Sequence, residues 1–331
     1  MIVAGIDCGT NSIRLLIAEK QGTSLKDIVR IMRIVRLGQD IDKTGYFAEE
    51  ALQRTFESCE EFAQICKQHN VEKIRFVATS ATRDAKNREV FLQGVKRILG
   101  AEVEVISGDE EASLSFAGAL NVLSAEQKQE KSGTLETGFL TERTCQNSSN
   151  ILVVDIGGGS TEFVCGHKTP DKTISLDMGC VRMTERFLKD GVNSQSIAKA
   201  IKVIDEYIAK ADEKIDFTRI SKFIGLAGSI TTITANYLKL DKYDSEKIHA
   251  TNMSFKDAIN SCNELLYSTH KERASMSFLH PKRADVIMGG ALVFRQILIY
   301  FEEMRKARKT TLSHVITSEN DILDGIALSI E

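Results

Sequence analysis

An aspartate heads a glycine- and hydroxyl-rich turn twice in this chain, once in Gly5-Ile6-Asp7-Cys8-Gly9-Thr10-Asn11-Ser12 and again in Val154-Asp155-Ile156-Gly157-Gly158-Gly159-Ser160-Thr161-Glu162. Glycine lets the backbone approach an anion closely and aim its N–H groups at it, while the Thr, Asn and Ser side chains add donors. Such a turn suits phosphate. Asp7 and Asp155 repel a bare phosphate, and that repulsion is relieved if a divalent cation lies between carboxylate and phosphate. Each copy follows a β-branched apolar run (1–6 and 151–154) and enters a second strand-like run (13–18 and 162–165), so each turn joins two strands. A Walker loop or dinucleotide fingerprint would feed a helix instead. Two ordinary hairpins would use the same glycines for backbone reasons. Matched flanking strands in both copies favour a phosphate gripped from two sides.

Three further segments carry candidate chemistry. Ser107 and Glu110 have capping-box spacing at the start of a helix reaching Leu120, which gives Glu110 a structural task and leaves Glu111 at the strand-to-helix junction where α/β sheets place ligands. Glu111 reads either as a first-turn acid complementing the helix dipole or as a functional carboxylate, and the segment alone favours the former. Gly225-Leu226-Ala227-Gly228-Ser229-Ile230-Thr231-Thr232 follows a strand and opens a helix, so Gly228 and Ser229 could hold an anion there. The third is the loop Thr79-Ser80-Ala81-Thr82-Arg83, at the end of strand 73–78.

The elements that must position these groups alternate in type. Strand 27–37 carries Arg30, Arg33 and Arg36; an amphipathic helix covers 49–69; a helix over 88–99 ends at Gly100; and strand 102–106 leads to Ser107. The second half repeats the theme, with strand 173–178, helices 181–189 and 193–211, strand 222–226, a helix from 283–291 through Phe301, strand 314–317 and a last helix 322–330. Between the halves, 124–150 is polar without apolar periodicity and reads as a connector or surface insertion. At 331 residues, two domains are expected, 1–123 and 151–331, in an α/β duplication whose last helix could pack back on the first domain. The seven cysteines include no C-x-x-C pair and read as reduced thiols of a cytosolic protein, while the scattered histidines argue against zinc. A net charge of −3 offers no global field for nucleic acid, and no apolar stretch reaches the roughly 18 residues a membrane span requires. No export signal opens the chain, so a cytoplasmic protein without nucleic-acid or membrane partners is expected.

The motifs D-x-G-T-N-S-I-R (7–14), V-A-T-S-A-T-R-D-A (77–85), V-I-S-G-D-E-E-A (105–112), D-I-G-G-G-S-T-E (155–162) and G-L-A-G-S-I-T-T (225–232) resemble, in the same order, those of the exopolyphosphatase/guanosine pentaphosphatase (Ppx/GppA) family, most of all its short two-domain members. The resemblance implies a duplicated ribonuclease-H-like fold of the actin/hexokinase/Hsp70 type, with the site in the cleft between domains. It implies Glu111 as general base; Asp155 and Glu162 as acids organising metal and water, with Asp7 near the metal; and Thr10, Asn11, Ser12, Gly157, Gly158, Gly159, Ser160, Thr161 and Arg83 on phosphate. Mg2+ is the implied cofactor, with another divalent cation or monovalent K+ as alternatives, and a homodimer is common in the family. The chain departs from the pattern at Ile322-Leu323-Asp324-Gly325, where the family often has L-R-E-G, and in its longer connector. It also lacks the His-Asp dipeptide and third helical domain of long members, which argues against a long polyphosphate tunnel.

The expected activity is therefore Mg2+-dependent release of orthophosphate from the end of inorganic polyphosphate, with short chains as the expected substrates. Removal of the 5′-phosphate of guanosine pentaphosphate is the sister alternative. A kinase of the same fold and a non-catalytic guanosine polyphosphate sensor are weaker: the first needs an Asp base in a substrate loop, and the second gains little from three acids beside a polyanion. Arg30, Arg33, Arg36, Arg283 and the 305–309 basic run are candidates to track further phosphates, although a solvated helix end is the favoured role for the last.

Overall fold

The computed structural model describes residues 1–22, 24–120, 122–123 and 150–331. The expected connector falls almost wholly outside them. The first sheet has the order β3-β2-β1-β4-β5, built from β1 (Ile2–Cys8), β2 (Ser12–Gln21), β3 (Ser24–Ile34), β4 (Lys73–Ala78) and β5 (Val103–Val105). Its first three strands form antiparallel pairs, and β4 and β5 join in parallel. The second sheet contains β6 (Asn150–Ile156), β7 (Thr161–Gly166), β8 (Pro170–Leu176), β9 (Ile220–Leu226), β10 (Asn252–Ser254) and β11 (His314–Thr317), ordered β10-β11-β9-β6-β7-β8. Apart from edge strand β10, the order and strand directions of the first sheet recur. This is the α/β duplication expected from the two hairpins, in the ribonuclease-H-like, actin-type form that the family resemblance implies.

β1, β4, β6 and β9 lie inside their sheets, and apart from Ile2 and Ile74 their apolar side chains are buried on both faces, as strands flanked by helices require. In the first half, Phe62 of helix Glu49–Gln68 and Phe91 of helix Arg88–Leu99 close the core over Phe76. In the second, Phe301 of helix Ile287–Lys306 joins Phe217, Phe223 and Phe255 in one aromatic cluster. The terminal helix Ile322–Leu328 returns to the first sheet and crosses helix Gly108–Ala119. Backbones touch at that crossing: a Cβ on Gly118 would lie 1.9 Å from the Asp321 carbonyl oxygen, and one on Gly325 would lie 2.1 Å from that of Leu114. Gly118→Ala is accordingly expected to cost about 3 kcal/mol, since only backbone movement could relieve the overlap. An unchanged denaturation midpoint would contradict this close packing.

Several local expectations are corrected. Thr79-Ser80-Ala81-Thr82-Arg83 is not an open loop; Ser80–Asp84 forms a helical turn too short to show periodicity. The predicted helix 181–189 is α-helical only over Cys180–Met183 and continues as a π-helix over Thr184–Leu188. Ser107 caps its helix by accepting the Glu110 amide, but the Glu110 carboxylate binds Arg75 at 2.8 Å rather than completing a capping box. At the divergent C-terminal motif, Leu323 is core, packed with Leu16, Ala18 and Ala327, while Asp324 completes the capping box begun by Asp321. Arg30, Arg33 and Arg36 are bound to Asp324, Glu61 and Asp285, so they are not a free track for phosphates.

Candidate active site

The two hairpin turns are closed in the same way: Gly9 N–H donates to the Ser12 carbonyl at 3.0 Å, and Gly157 N–H to that of Ser160 at 3.1 Å. They pack directly on each other. A Cβ on Gly158 would lie 2.8 Å from Thr10 Cβ, and one on Gly159 would lie 2.5 Å from Ser80 Oγ, so these glycines are required by the approach of the two halves. The Thr10 and Ser80 hydroxyls share a hydrogen bond of 2.9 Å beneath the contact. Arg182, buried, donates through Nε to the Gly159 carbonyl at 2.8 Å and through its other nitrogens to Asp42 and Asp84, tying the second turn to the first half.

A cavity of about 70 Å3 lies where the turns meet, lined among others by Asp7, Thr10, Asn11, Ser12, Glu111, Asp155, Gly157, Gly158, Ser160, Gly228 and Ser229. Four expected residues are not on its wall. The Thr161 hydroxyl donates to the Met178 carbonyl, and Gly159 faces Ser80. Glu162 stands behind Asp155, and Arg83 reaches the site only through Glu111, to which it donates at 2.8 Å.

The registers explain the electrostatics. Asp155 pairs with Glu162 across β6–β7, whereas the equivalent position opposite Asp7 across β1–β2 is Arg14. Arg14 grips Asp7 at 2.6 and 2.9 Å and also binds Asp321, the cap of the terminal helix. One turn thus holds a neutralised acid and the other holds two acids facing each other. Burial pushes the Asp155 pKa from 3.8 up to about 7, aided by the charges of Asp321 and Glu111 and opposed by a 2.7 Å hydrogen bond from Ser115. Burial, with Glu111 and Asp155 nearby, drives Glu162 well above the usual carboxylate range; Ser175 donates to it at 2.7 Å. Glu111 is raised by desolvation, with Arg83 pulling the other way.

Arg14, Asp321 and Cys180 carry no role in the sequence reading, Thr79 and Ser80 enter it only as part of the 79–83 loop, and Arg283 has only a peripheral part. Arg283 lines the cavity, and among the described residues no carboxylate lies at ion-pair distance from it. Its guanidinium lies flat on Gly228, where a Cβ would come within 1.6 Å of Nη1. Gly228 follows Ala227, a non-glycine residue with φ +69°, the kind of strained backbone that functional sites retain.

Asp7, Glu111, Asp155, Glu162 and Asp321 outnumber Arg14, Arg83 and Arg283 around this cleft, so a polyanion bound here needs additional positive charge. Among the described residues no three acids, histidines or cysteines are placed to enclose a metal ion by themselves. That donor set fits a small hard cation held by one or two carboxylates and completed by water and substrate oxygens. Asp155, on the cavity wall with Glu162 paired to it across the strands, could hold such a cation, whereas Asp7 is bound by Arg14.

Comparison with known proteins gives concordant results. The sequence profile of the Ppx/GppA phosphatase family matches residues 16–130 and 135–325. The chain is 40% identical over 338 residues to exopolyphosphatase 2 of Mycobacterium tuberculosis, covering 99% of this chain and 98% of that protein. A crystal structure of an exopolyphosphatase-like protein superposes with a TM-score of 0.87 at 40% identity, covering 99% of this chain and 96% of that one. The Ppx/GppA family member of Aquifex aeolicus gives a TM-score of 0.74 at 28% identity, covering 99% and 97%.

Proposed function

This chain belongs to the Ppx/GppA phosphatase family, and from that premise we propose that it is an exopolyphosphatase, hydrolysing the terminal phosphoanhydride of inorganic polyphosphate to orthophosphate. The observation that carries the reading is the meeting of two glycine turns over a small cavity walled by Glu111, Asp155 and Arg283. The terminal phosphoryl group lies between the turns, held by their N–H groups, Asn11 and Ser12. Glu111 accepts a proton from a water aligned with the scissile P–O bond as that water attacks, and the shortened chain departs with the bridging oxygen. A raised pKa suits Glu111 to take that proton near neutrality, and Arg83 fixes its orientation. Asp155, with Glu162 behind it, would hold Mg2+, which would supply charge neutralisation on the phosphoryl oxygens. The family resemblance supports a cytoplasmic homodimer; among the described residues no helix is long and apolar enough to cross a membrane.

Arg283 is placed to bind the next phosphate. Arg283→Met is expected to raise KM for polyphosphate tenfold or more with a smaller change in kcat, and Gly228→Ala to do the same by displacing the guanidinium. A KM unchanged in both variants would remove Arg283 from the substrate path.

One observation favours guanosine pentaphosphate as a second reading. A cavity of about 480 Å3 opens from the cleft at Arg14, Gly228 and Arg283 and is walled by Met32, Tyr243, Phe278 and Leu279, a surface suited to a base rather than to further phosphates. Tyr243 donates to Glu319 at 2.6 Å there, and burial pushes the Glu319 carboxyl up to about 7. Phosphate release from short polyphosphate, long polyphosphate, guanosine pentaphosphate and ATP, each with Mg2+ and with EDTA, decides between them. Metal-dependent release from polyphosphate is expected; release from the guanosine nucleotide alone would make the second reading the correct one.

A further inference from the structure

A second cavity adjoins the first hairpin turn at Thr10 and Asn11 and shares no wall residue with the base-sized one. It measures about 690 Å3, within the range of small-molecule sites, and its wall runs from Thr10 and Asn11 to the π-helix and to the segment around Arg273. Much of that wall is apolar, supplied by Val181, Leu188, Val192, Val286 and Met288. A polyphosphate chain, hydrated and densely charged, is a poor match for it.

The charges around the chamber are mostly satisfied. Arg36 and His270 bind Asp285 at 2.6 and 2.8 Å, Lys189 binds Asp40 at 3.3 Å, and Glu185 accepts the Asp40 amide at 3.4 Å. Arg273 differs. It is 3% exposed, donates to the carbonyls of Ala284 and Ser268, and among the described residues has no carboxylate at ion-pair distance. Its hydrogen-bond partners are neutral carbonyls, and burial lowers its pKa despite the more distant charges of Asp285 and Glu272, an arrangement that an added anion would stabilise. At the opposite end, the Asn11 side-chain oxygen is buried without a hydrogen-bond partner. Asn11 belongs to both this chamber and the catalytic cleft.

We propose that this chamber binds a small organic anion, with its acidic group on Arg273 and a flat apolar body against Leu188, Val192 and Met288, and that occupancy is felt in the catalytic cleft through Asn11. The chamber draws wall residues from both halves of the molecule, so a ligand there also bears on how closely the two hairpins approach.

The probe is 1-anilinonaphthalene-8-sulfonate, which has both required features, followed by its fluorescence on the intact chain. Saturable binding at one site per chain is expected, displaced by naphthalenesulfonate but not by equal concentrations of inorganic phosphate. Val192→Trp, which fills the chamber from a partly exposed loop position, is expected to abolish that binding with the melting temperature retained, and Arg273→Met to weaken it at least tenfold. If Arg273→Met fails to fold, Val192→Trp still decides. Binding that is unsaturable, or unchanged in Val192→Trp, overturns the site. Saturating probe is expected to shift the KM for polyphosphate in the parent protein and not in Val192→Trp; an unshifted KM overturns the coupling. The binding readout does not depend on turnover, so failure of the hydrolase assignment would leave its outcome interpretable.

Discussion

Glu111→Gln is expected to leave the protein folded and KM for polyphosphate within a few-fold of the parent, while kcat falls about a hundredfold or more. The amide keeps the size of the carboxylate in a position only 8% exposed, so packing changes little. Arg83 loses an ionic partner but keeps the Ile106 carbonyl, to which the same nitrogen donates at 2.9 Å. What is lost is the ability to take a proton from the attacking water. Removing a group that acts only in the transition state lowers kcat and kcat/KM together, whereas a group that merely binds substrate would raise KM. Phosphate release measured across polyphosphate concentration separates these cases. A variant with near-parental kcat would return Glu111 to the role of a first-turn acid, the reading its own segment favours.

The hairpins and their flanking strands were legible because glycine, aspartate and β-branched runs act locally. So was the duplication, since both turns obey the same backbone constraints. The electrostatic difference between the turns was also present in the spacing, though it was not drawn out: Asp7 and Arg14 are separated as Asp155 and Glu162 are, and equal hairpins bring both pairs into register. Arg14 was therefore a recoverable omission. Asp321 was not recoverable, because its link to Arg14 spans 307 positions and depends on how the terminal helix returns to the first sheet. The arginines of β3 misled for a related reason. Their spacing suggests a basic track, but spacing says nothing of Asp324, Glu61 and Asp285, which fold back to neutralise them. The Gly228–Arg283 contact likewise joins two segments whose proximity only the fold creates.

Thermal stability should depend on pH and Mg2+ in a linked way. In the metal-free protein Asp155 titrates at about 7 against 3.8 for the free side chain, and Glu111 and Glu162 are shifted in the same direction. A carboxyl raised on folding binds its proton more tightly in the native state, so its contribution to stability is present below the unfolded value and is lost as pH rises through the folded one. For Asp155 alone, displacement from 3.8 to about 7 corresponds to roughly 4 kcal/mol. These groups therefore act opposite to ordinary ion-paired carboxylates, and they make the metal-free cleft weaker at pH 8 than at pH 5. A cation that binds the ionised acids reverses the penalty where they are ionised and competes with protons where they are not. Mg2+ is accordingly expected to raise the melting temperature by several degrees at pH 8 and hardly at all at pH 5. Asp155→Asn should remove part of the alkaline destabilisation and weaken the Mg2+ response at pH 8, because the amide carries no charge to be relieved. Equal Mg2+ increments at both pH values, or an Asp155→Asn protein that responds as the parent does, would show that the metal is held elsewhere than on these acids.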